Sequence, residues 1–304
     1  MNDSVQQVGR SGHVPADLGK PRVEPMSRID LNGGVYADSL YRFDTFAPVV
    51  PGLDAVGDAE IGRYLDDGYL AVVPALTPAQ VDEALAGLRA ILLDPRDADV
   101  EFEGWAADRL EDLDAEQRFD AIRKFMWFVD YDERLKRLTE DERLLAVVRR
   151  LAGDDDVVML QDMALLKPPG GGREKPWHQD NAFFNLDPDT PTVGVWIALD
   201  EATCENGCMH VISGSHREGP APHFKRRDWQ ICDDDVQSAR DVVIPLPPGG
   251  ALFFNGLVHH GTPANRTDTR RRAVQFHYVP RSAVQVTEDE HLAVFGSEGR
   301  GATC

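Results

Sequence analysis

The stretch PPGGALFFNGLVHHGTPANRTDTRRRAVQFHYV, residues 247–279, contains two short apolar runs, GALFF and RAVQFHYV, separated by a segment rich in turn-forming residues. Short apolar runs bounded by Gly, Pro and Asn are typical of β-strands. Similar runs begin near residue 156, namely VVMLQDMALL, TVGVWIAL, GCMHVI and VVIPL. Their spacing predicts an antiparallel β-sandwich or barrel over about residues 156–280.

The preceding part of the chain, from about residue 58 to 152, has helical patterning instead. Thr77 is a suitable N-cap, and Pro78 follows it at the first helical position, where proline is favoured. Two further amphipathic helices are predicted at residues 115–129 and 139–151. A helical half followed by a strand half indicates an α+β fold, with helices packed on one outer face of a β-core.

The two ends of the chain differ from this central part. Residues 1–45 are rich in Gly, Pro, Ser and Asp and lack periodicity, which predicts an arm that is partly disordered or wrapped on the surface. We assign residues 46–285 to one domain and residues 286–304 to a C-terminal tail. The segment 217–241 is long and polar, and such loops in compact folds are usually functional or disordered.

Composition narrows the range of partners and compartments. The chain has 304 residues and a net charge of −20, so its surface repels nucleic acid and anionic membranes, and neither is an expected partner. The N-terminus has no apolar core of a signal peptide, and no stretch approaches the roughly 18 apolar residues of a membrane span. We therefore expect a cytoplasmic protein with reduced thiols. The cysteines are Cys204, Cys208, Cys232 and Cys304. The oligomeric state is not predicted.

Three residues in distant segments predict a metal site. In WHQD, His178 and Asp180 are two positions apart, and side chains at i and i+2 of a strand project from the same face. His260, just after the strand GALFF, is the candidate third ligand. Two histidines and one carboxylate form a facial triad that suits Fe(II) and leaves coordination positions open. A zinc hydrolase is the alternative, although zinc favours four-coordination.

A basic residue on the last predicted strand extends this pattern. Alternation along RRRAVQFHYV predicts that one face of the strand points into the barrel and the other packs on the helices. The inward set is Arg271, Ala273, Gln275 and His277; the outward set is Val274, Phe276 and Tyr278. An arginine inside a barrel needs an anionic partner. The distal carboxylate of 2-oxoglutarate, held bidentately, is one candidate, and a nearby aspartate is the other.

With these residues assembled, the chain resembles the phytanoyl-CoA dioxygenase family of Fe(II)- and 2-oxoglutarate-dependent oxygenases over roughly residues 60–280. The matching segments, in order, are residues 62–85, KPPGGGREKPWHQD at 167–180, residues 193–219 and residues 247–279. The resemblance implies a double-stranded β-helix core, a jelly roll of the cupin type. It also implies a dioxygenase that uses Fe(II), 2-oxoglutarate and O2 to oxidise a small organic substrate, releasing succinate and CO2.

The resemblance implies roles for individual residues. His178, Asp180 and His260 would bind iron, and His260 is selected over His259 because the metal histidine of the family directly precedes glycine. Arg271 would bind the distal carboxylate of 2-oxoglutarate. Further candidates for co-substrate binding are Thr262, Trp196, Gln161 and Lys124.

Other readings remain open at this point. A halogenase is disfavoured because, in halogenating relatives, a small residue replaces the metal-binding carboxylate, whereas Asp180 is present here. A non-catalytic binding protein on the same β-core would not need all three ligands and the arginine. Lys225, Arg226 and Arg227 are candidate contacts for an anionic substrate or a secondary metabolite, and a solvated loop face is the alternative.

Overall fold

A computed structural model of the protein describes residues 36–93, 99–106 and 108–304. Most of the arm predicted at residues 1–45 lies outside the described residues. The helices are α1 (Asp58–Asp67), α2 (Pro78–Leu93), α3 (Ala115–Asp120), α4 (Glu133–Thr139), α5 (Glu142–Ala152) and α6 (Glu288–Phe295). None of the helices in the described ranges is both long and apolar enough to cross a membrane.

The strands form two facing sheets and a separate hairpin. They are β1 (Thr45–Phe46), β2 (Val49–Val50), β3 (Tyr69–Val72), β4 (Asp99–Phe102), β5 (Ile122–Met126), β6 (Val157–Lys167), β7 (Lys175–His178), β8 (Val193–Ala198), β9 (Met209–Ile212), β10 (His223–Lys225), β11 (Trp229–Ile231), β12 (Asp241–Ile244), β13 (Ala251–Asn255), β14 (His260–Thr262) and β15 (Arg271–Pro280). The larger sheet has the order β2-β3-β13-β8-β15-β6-β5-β4, the smaller β1-β12-β9-β14-β7, and β10 pairs with β11. The long strands β6, β8 and β15 pair antiparallel. The predicted α+β fold with a jelly-roll core is confirmed.

The alternation predicted along β15 sorts its side chains between two apolar layers. Val274 and Phe276 are buried in the layer between the larger sheet and the helices, together with Leu88 of α2 and Val148 of α5. Ala273 lies in the second layer, between the sheets. The helices therefore cover the outer face of the larger sheet. Polar side chains lie between the two sheets, at the open end of that interior.

Part of the helical prediction is wrong. The helix expected at residues 115–129 ends at Asp120, and the chain continues as β5, which pairs with both β4 and β6. Ile122, Phe125 and Met126 become buried on this strand. Pairing with β6, a distant segment, gives these residues more burial than a longer amphipathic helix would, so tertiary contacts override local periodicity.

The segments predicted as a polar loop and a C-terminal tail pack against each other. Residues 217–241 contain the hairpin β10–β11, and the chain after β15 forms α6, whose Phe295 is fully buried beside the ring of His223. Cys232 and Cys304 form a disulfide. The expectation of reduced thiols is therefore wrong for this pair, because the fold brings together two cysteines 72 residues apart; Cys204 and Cys208 are free.

Candidate metal centre and cavity

The three predicted ligands meet at the open end of the smaller sheet. His178 is the last residue of β7, His260 is the first of β14, and the two are directly paired across the antiparallel ladder. The strand pattern predicted that Asp180 lies on the same strand as His178. Instead, β7 ends at His178, and Asp180 begins a short 3-10 turn that ends at Phe183. All three side chains are buried. The ladder register, together with this turn, brings the three side chains to one point.

The distances within this cluster fit a single cation. Oδ1 of Asp180 lies 3.3 Å from Nε2 of His178 and 3.4 Å from Nε2 of His260, and the candidate ligand atoms all lie within 4.8 Å of one another. Nδ1 of His178 donates to the carbonyl of Pro176 at 2.7 Å, and Nδ1 of His260 donates to the carbonyl of Val258 at 3.0 Å. These bonds place the ring protons on Nδ1 and leave both Nε2 lone pairs facing the cluster.

The electrostatics of the cluster favour the protonation states that a metal needs. Burial, with a smaller contribution from His260, lowers the pKa of His178 to about 3, so this imidazole is neutral. Burial acts to raise the pKa of Asp180, but the neighbouring His260 and His277 imidazoles outweigh it and hold that pKa well below its usual value. The cluster thus offers neutral nitrogen and an anionic oxygen, the forms in which these groups bind metals.

Arg271 lies in the same cavity as the cluster, and no carboxylate among the described residues forms an ion pair with it. Its guanidinium is buried over the ring of Trp196, at 5.5 Å from the ring centre, and Nη1 donates to the carbonyl of Leu165 at 3.3 Å. Nε has no hydrogen-bond partner within the described part of the chain. Burial lowers the pKa of this guanidinium to about 10, so it stays charged at neutral pH. A buried cation with unfilled donors is an anion-binding site.

The two neighbouring arginines, Arg270 and Arg272, pair with aspartates. Nη2 of Arg270 lies 2.9 Å from Asp120, and Nη2 of Arg272 lies 2.7 Å from Asp200. The nearby aspartates therefore bind the arginines on either side of Arg271.

Comparison with known proteins identifies the family. The sequence pattern of the family described as "Phytanoyl-CoA dioxygenase (PhyH)" matches residues 64–273. The chain belongs to the phytanoyl-CoA dioxygenase family. It is 26% identical over 284 residues to phytanoyl-CoA dioxygenase domain-containing protein 1 of Danio rerio, across 78% of this chain and 97% of that protein. It is 34% identical over 139 residues to phytanoyl-CoA dioxygenase of Arabidopsis thaliana, across 44% of this chain but only 49% of that protein.

Solved structures show the same fold. EvdO2 from Micromonospora carbonacea var. aurantiaca, complexed with 2-oxoglutarate, superposes with a TM-score of 0.58 at 25% identity, covering 77% of this chain and 94% of that one. The carbocyclase SnoK from nogalamycin biosynthesis, described as non-heme and alpha ketoglutarate dependent, gives a TM-score of 0.61 at 20% identity, covering 79% and 91%. At that identity, the likeness to SnoK supports the fold alone.

The candidate co-substrate residues of this phytanoyl-CoA dioxygenase family member line one cavity. Thr262, Trp196, Gln161 and Lys124 all border it, together with the metal cluster and Arg271. Lys124 lies on β5 and not on a helix, and its Nζ is 3.3 Å from Glu101. The cluster and these four side chains are thus brought together as expected, although their roles remain proposals.

The loop residues proposed as substrate contacts lie elsewhere. None of Lys225, Arg226 and Arg227 is among the residues that border the cavity over the cluster. Lys225 is exposed, Nη1 of Arg226 contacts Sγ of Cys304 at 3.1 Å, and Arg227 binds Glu174 and Asp233. The charge of Arg227 is already balanced by these two carboxylates.

A different set of basic residues, missed in the sequence, borders the cavity. Arg123, Lys167, Arg173 and Lys175 line it together with Asp228. Nζ of Lys175 lies 2.9 Å from Asp228 and 4.5 Å from the centre of the Phe183 ring. Lys175 could have been found as the first residue of the strand that carries His178. Nothing in the sequence placed Asp228 at the cavity, because this residue lies in the 217–241 segment and not next to a metal ligand.

Proposed function

We propose that the protein is an Fe(II)- and 2-oxoglutarate-dependent oxygenase that oxidises a small organic substrate. The balanced reaction consumes substrate, 2-oxoglutarate and O2 and yields the hydroxylated product, succinate and CO2. One observation carries this proposal: the buried His178, Asp180 and His260 cluster shares a cavity with the unpaired guanidinium of Arg271. This arrangement suits a metal ion bound beside an anion.

The donor set fits iron and this co-substrate. Two neutral imidazoles and one carboxylate leave Fe(II) a net charge of about +1 and open positions for a chelating 2-oxo acid. Bound iron supplies the oxidising power. The chain supplies orientation: Arg271 binds the distal carboxylate, the hydroxyl of Thr262 lies in the same cavity wall, and the Trp196 ring supports the guanidinium. The 2-oxoglutarate complex of EvdO2 has the same fold, which supports this co-substrate.

The charge of the cavity wall supports an anionic substrate. The chain is strongly acidic, yet the residues that border the cavity include six basic ones and only two acidic ones. Asp180 belongs to the metal cluster, and Asp228 is already paired with Lys175 and Arg123. Lys175 and Lys124 each pair with one carboxylate and keep further N–H donors. We infer that a carboxylate or phosphate of the substrate binds at this wall.

Metal loading under anaerobic conditions tests the reaction class. Protein loaded with Fe(II) is expected to develop a visible absorption band when 2-oxoglutarate is added, and to form succinate when O2 and a substrate from a panel of small organic acids are present. Asp180→Ala is expected to abolish both signals, because it removes the only anionic ligand. Succinate formation that survives Asp180→Ala unchanged, or no succinate with any compound, would refute the proposal.

Arg271→Gln tests the co-substrate site against a matched neighbour. We expect the affinity for 2-oxoglutarate to fall by about 30-fold or more, because truncating one side of a buried charge pair costs about 2 kcal/mol or more. Arg270→Gln removes the same charge one position earlier, from a side chain paired with Asp120 outside the cavity, and is expected to leave this affinity unchanged. Equal effects of the two variants would exclude Arg271 as the carboxylate-binding residue.

A further inference from the structure

The two oxygens of the Asp180 carboxylate have different surroundings. Oδ1 faces the imidazoles of His178 and His260. Oδ2 points the other way, where Nε2 of His277 lies at 2.6 Å and Nε2 of Gln275 at 3.1 Å. Gln275 and His277 are both buried on the inward face of β15. The carboxylate is therefore held on both sides, with one oxygen left for a metal.

The ring proton of His277 is assigned by its surroundings. Nδ1 of this fully buried ring has no hydrogen-bond partner among the residues that the structure describes, so a proton there would be left unsatisfied. A proton on Nε2 instead points at Oδ2 of Asp180. The rings of Phe184 and Phe254 pack edge-on against His277 and restrict its rotation. His277 is thus a fixed donor to the carboxylate.

We propose that His277 and Gln275 are positioning residues that keep Asp180 a monodentate ligand of the metal. This inference rests on the proposed function. An octahedral ion bound by three protein atoms keeps three open positions, two for the 2-oxo acid and one more. If Oδ2 were released, the carboxylate could bind through both oxygens and occupy that last position. The pair therefore preserves the open position that the chemistry requires, and it does so by acting through Asp180.

Bound Mn(II) gives a test that does not need turnover. Water-proton relaxation reports how many waters coordinate Mn(II), and calorimetry gives its affinity. For the wild-type chain we expect about three coordinated waters, falling to about one when 2-oxoglutarate is added. For His277→Leu we expect about two and about none, and for His277→Gln, which restores an N–H donor, a return towards the wild-type values. Gln275→Leu is expected to act in the same direction with a smaller effect.

A second buried histidine provides the matched control. His210 is as buried as His277, but its Nδ1 lies 3.0 Å from Oδ2 of Asp241, a carboxylate outside the metal cluster. His210→Leu is expected to lower the stability of the metal-free protein to urea without changing the water count. The inference is overturned if His277→Leu and Gln275→Leu bind Mn(II) with the wild-type number of waters, or if His210→Leu gives the same loss.

The outcomes for this inference and for the proposed function are distinguishable. A wild-type chain that binds Mn(II) but not 2-oxoglutarate would refute the proposed function, while the water count of the Mn(II) form would still decide the role of the pair. A wild-type chain that binds no Mn(II) would overturn both. Normal 2-oxoglutarate turnover with unchanged water counts in the variants would overturn the positioning role alone.

Discussion

The basic residues that line the cavity differ in how their charge is balanced by carboxylates. Arg123 is paired with Asp228 and Glu101, whereas Arg271 has no carboxylate of its own. Lys175 is intermediate: burial lowers its pKa, the carboxylate of Asp228 acts in the opposite direction, and Lys124 adds repulsion. An anion entering beside Lys175 would relieve that repulsion. Lys175 is therefore the residue at which the anionic character of the substrate is best tested.

Lys175→Met retains most of the aliphatic stem beside Phe183 and removes the charge. For the substrate identified by succinate formation, we expect KM to rise about tenfold or more while KM for 2-oxoglutarate changes little, because a charge-assisted hydrogen bond is lost on the substrate side only. Steady-state kinetics with each compound varied in turn measures the two values.

Lys225→Met is the control for this prediction, since Lys225 is exposed and does not border the cavity. Exposed charges contribute little to binding at a distance because water and salt screen them. A larger effect of Lys225→Met than of Lys175→Met would favour the loop residues proposed from the sequence and contradict the cavity wall seen in the structure.

Among the elements, the C-terminal strap (residues 288–304) and the hairpin β10–β11 hold the turn that carries Asp180. Nε2 of His223, in β10, accepts a hydrogen bond from the backbone N–H of Gln179, which lies between the two ligands. The carbonyl of Ala182, in the same turn, accepts bonds from Nε1 of Trp229 and Nε2 of His291. The strap and hairpin are joined by the disulfide and thus act as one support behind the metal ligands.

Cys304→Ser removes the covalent link between the strap and the hairpin. We expect the free energy of unfolding to fall by about 4 kcal/mol, the chain-entropy value for a loop as long as the 72-residue separation of the two cysteines. Urea denaturation with and without reductant measures this: the wild-type chain should lose stability on reduction, and Cys304→Ser should be insensitive to it.

Cys204→Ser is the matched variant, because Cys204 is a free cysteine. It is expected to keep the wild-type response to reductant. If reduction leaves the wild-type midpoint unchanged, the disulfide contributes no stability, and the strap is held by α6 and its hydrogen bonds alone.

At the scale of the whole molecule, stability depends on the apolar layer between the larger sheet and the helices. Two tyrosines are buried in that layer, Tyr64 of α1 and Tyr278 of β15. The hydroxyl of Tyr278 donates to the carbonyl of Thr139 at 2.8 Å, whereas that of Tyr64 has no partner in the described ranges. Burial raises the pKa of both phenols above the usual value of 10.0. The two buried tyrosines of this layer therefore differ in whether the hydroxyl is hydrogen-bonded.

Tyr64→Phe and Tyr278→Phe are expected to have effects of opposite sign. Removing the unpaired hydroxyl of Tyr64 should raise the free energy of unfolding by about 1 kcal/mol, and removing the bonded hydroxyl of Tyr278 should lower it by about 1 kcal/mol. Chemical denaturation at neutral pH measures both. Destabilisation by Tyr64→Phe as large as that by Tyr278→Phe would show that its hydroxyl has a partner after all.

The same two residues contribute to the loss of stability at alkaline pH. Their folded-state pKa values lie above the unfolded value of 10.0, so well below that pH both phenols are neutral in the folded and the unfolded chain and their ionisation removes no stability. As pH rises above it, the unfolded chain ionises first and stability is lost. Each Phe variant should therefore lose less stability than the wild-type chain above pH 10, and parallel curves would contradict the assignment.

The sequence by itself determined the layers of the fold and the identity of the central chemical groups. Alternation along β15 predicted which side chains face the helices and placed Arg271 inward, because the two-residue period of a strand is a local property. The spacing of His178 and Asp180, with His260 after an apolar strand, predicted a metal cluster for a similar reason. Residue type and local period suffice for such predictions.

Only the tertiary structure decided the partners of these groups. It turned residues 122–126 into a strand beside β6, paired Cys232 with Cys304, and built a basic cavity wall from β5, β7 and the end of β6. It also placed His277 against Asp180 and left Arg271 without a carboxylate. These outcomes depend on burial and on contacts between segments that are distant in sequence. Such contacts form only when the two sheets pack together, so local sequence does not determine them.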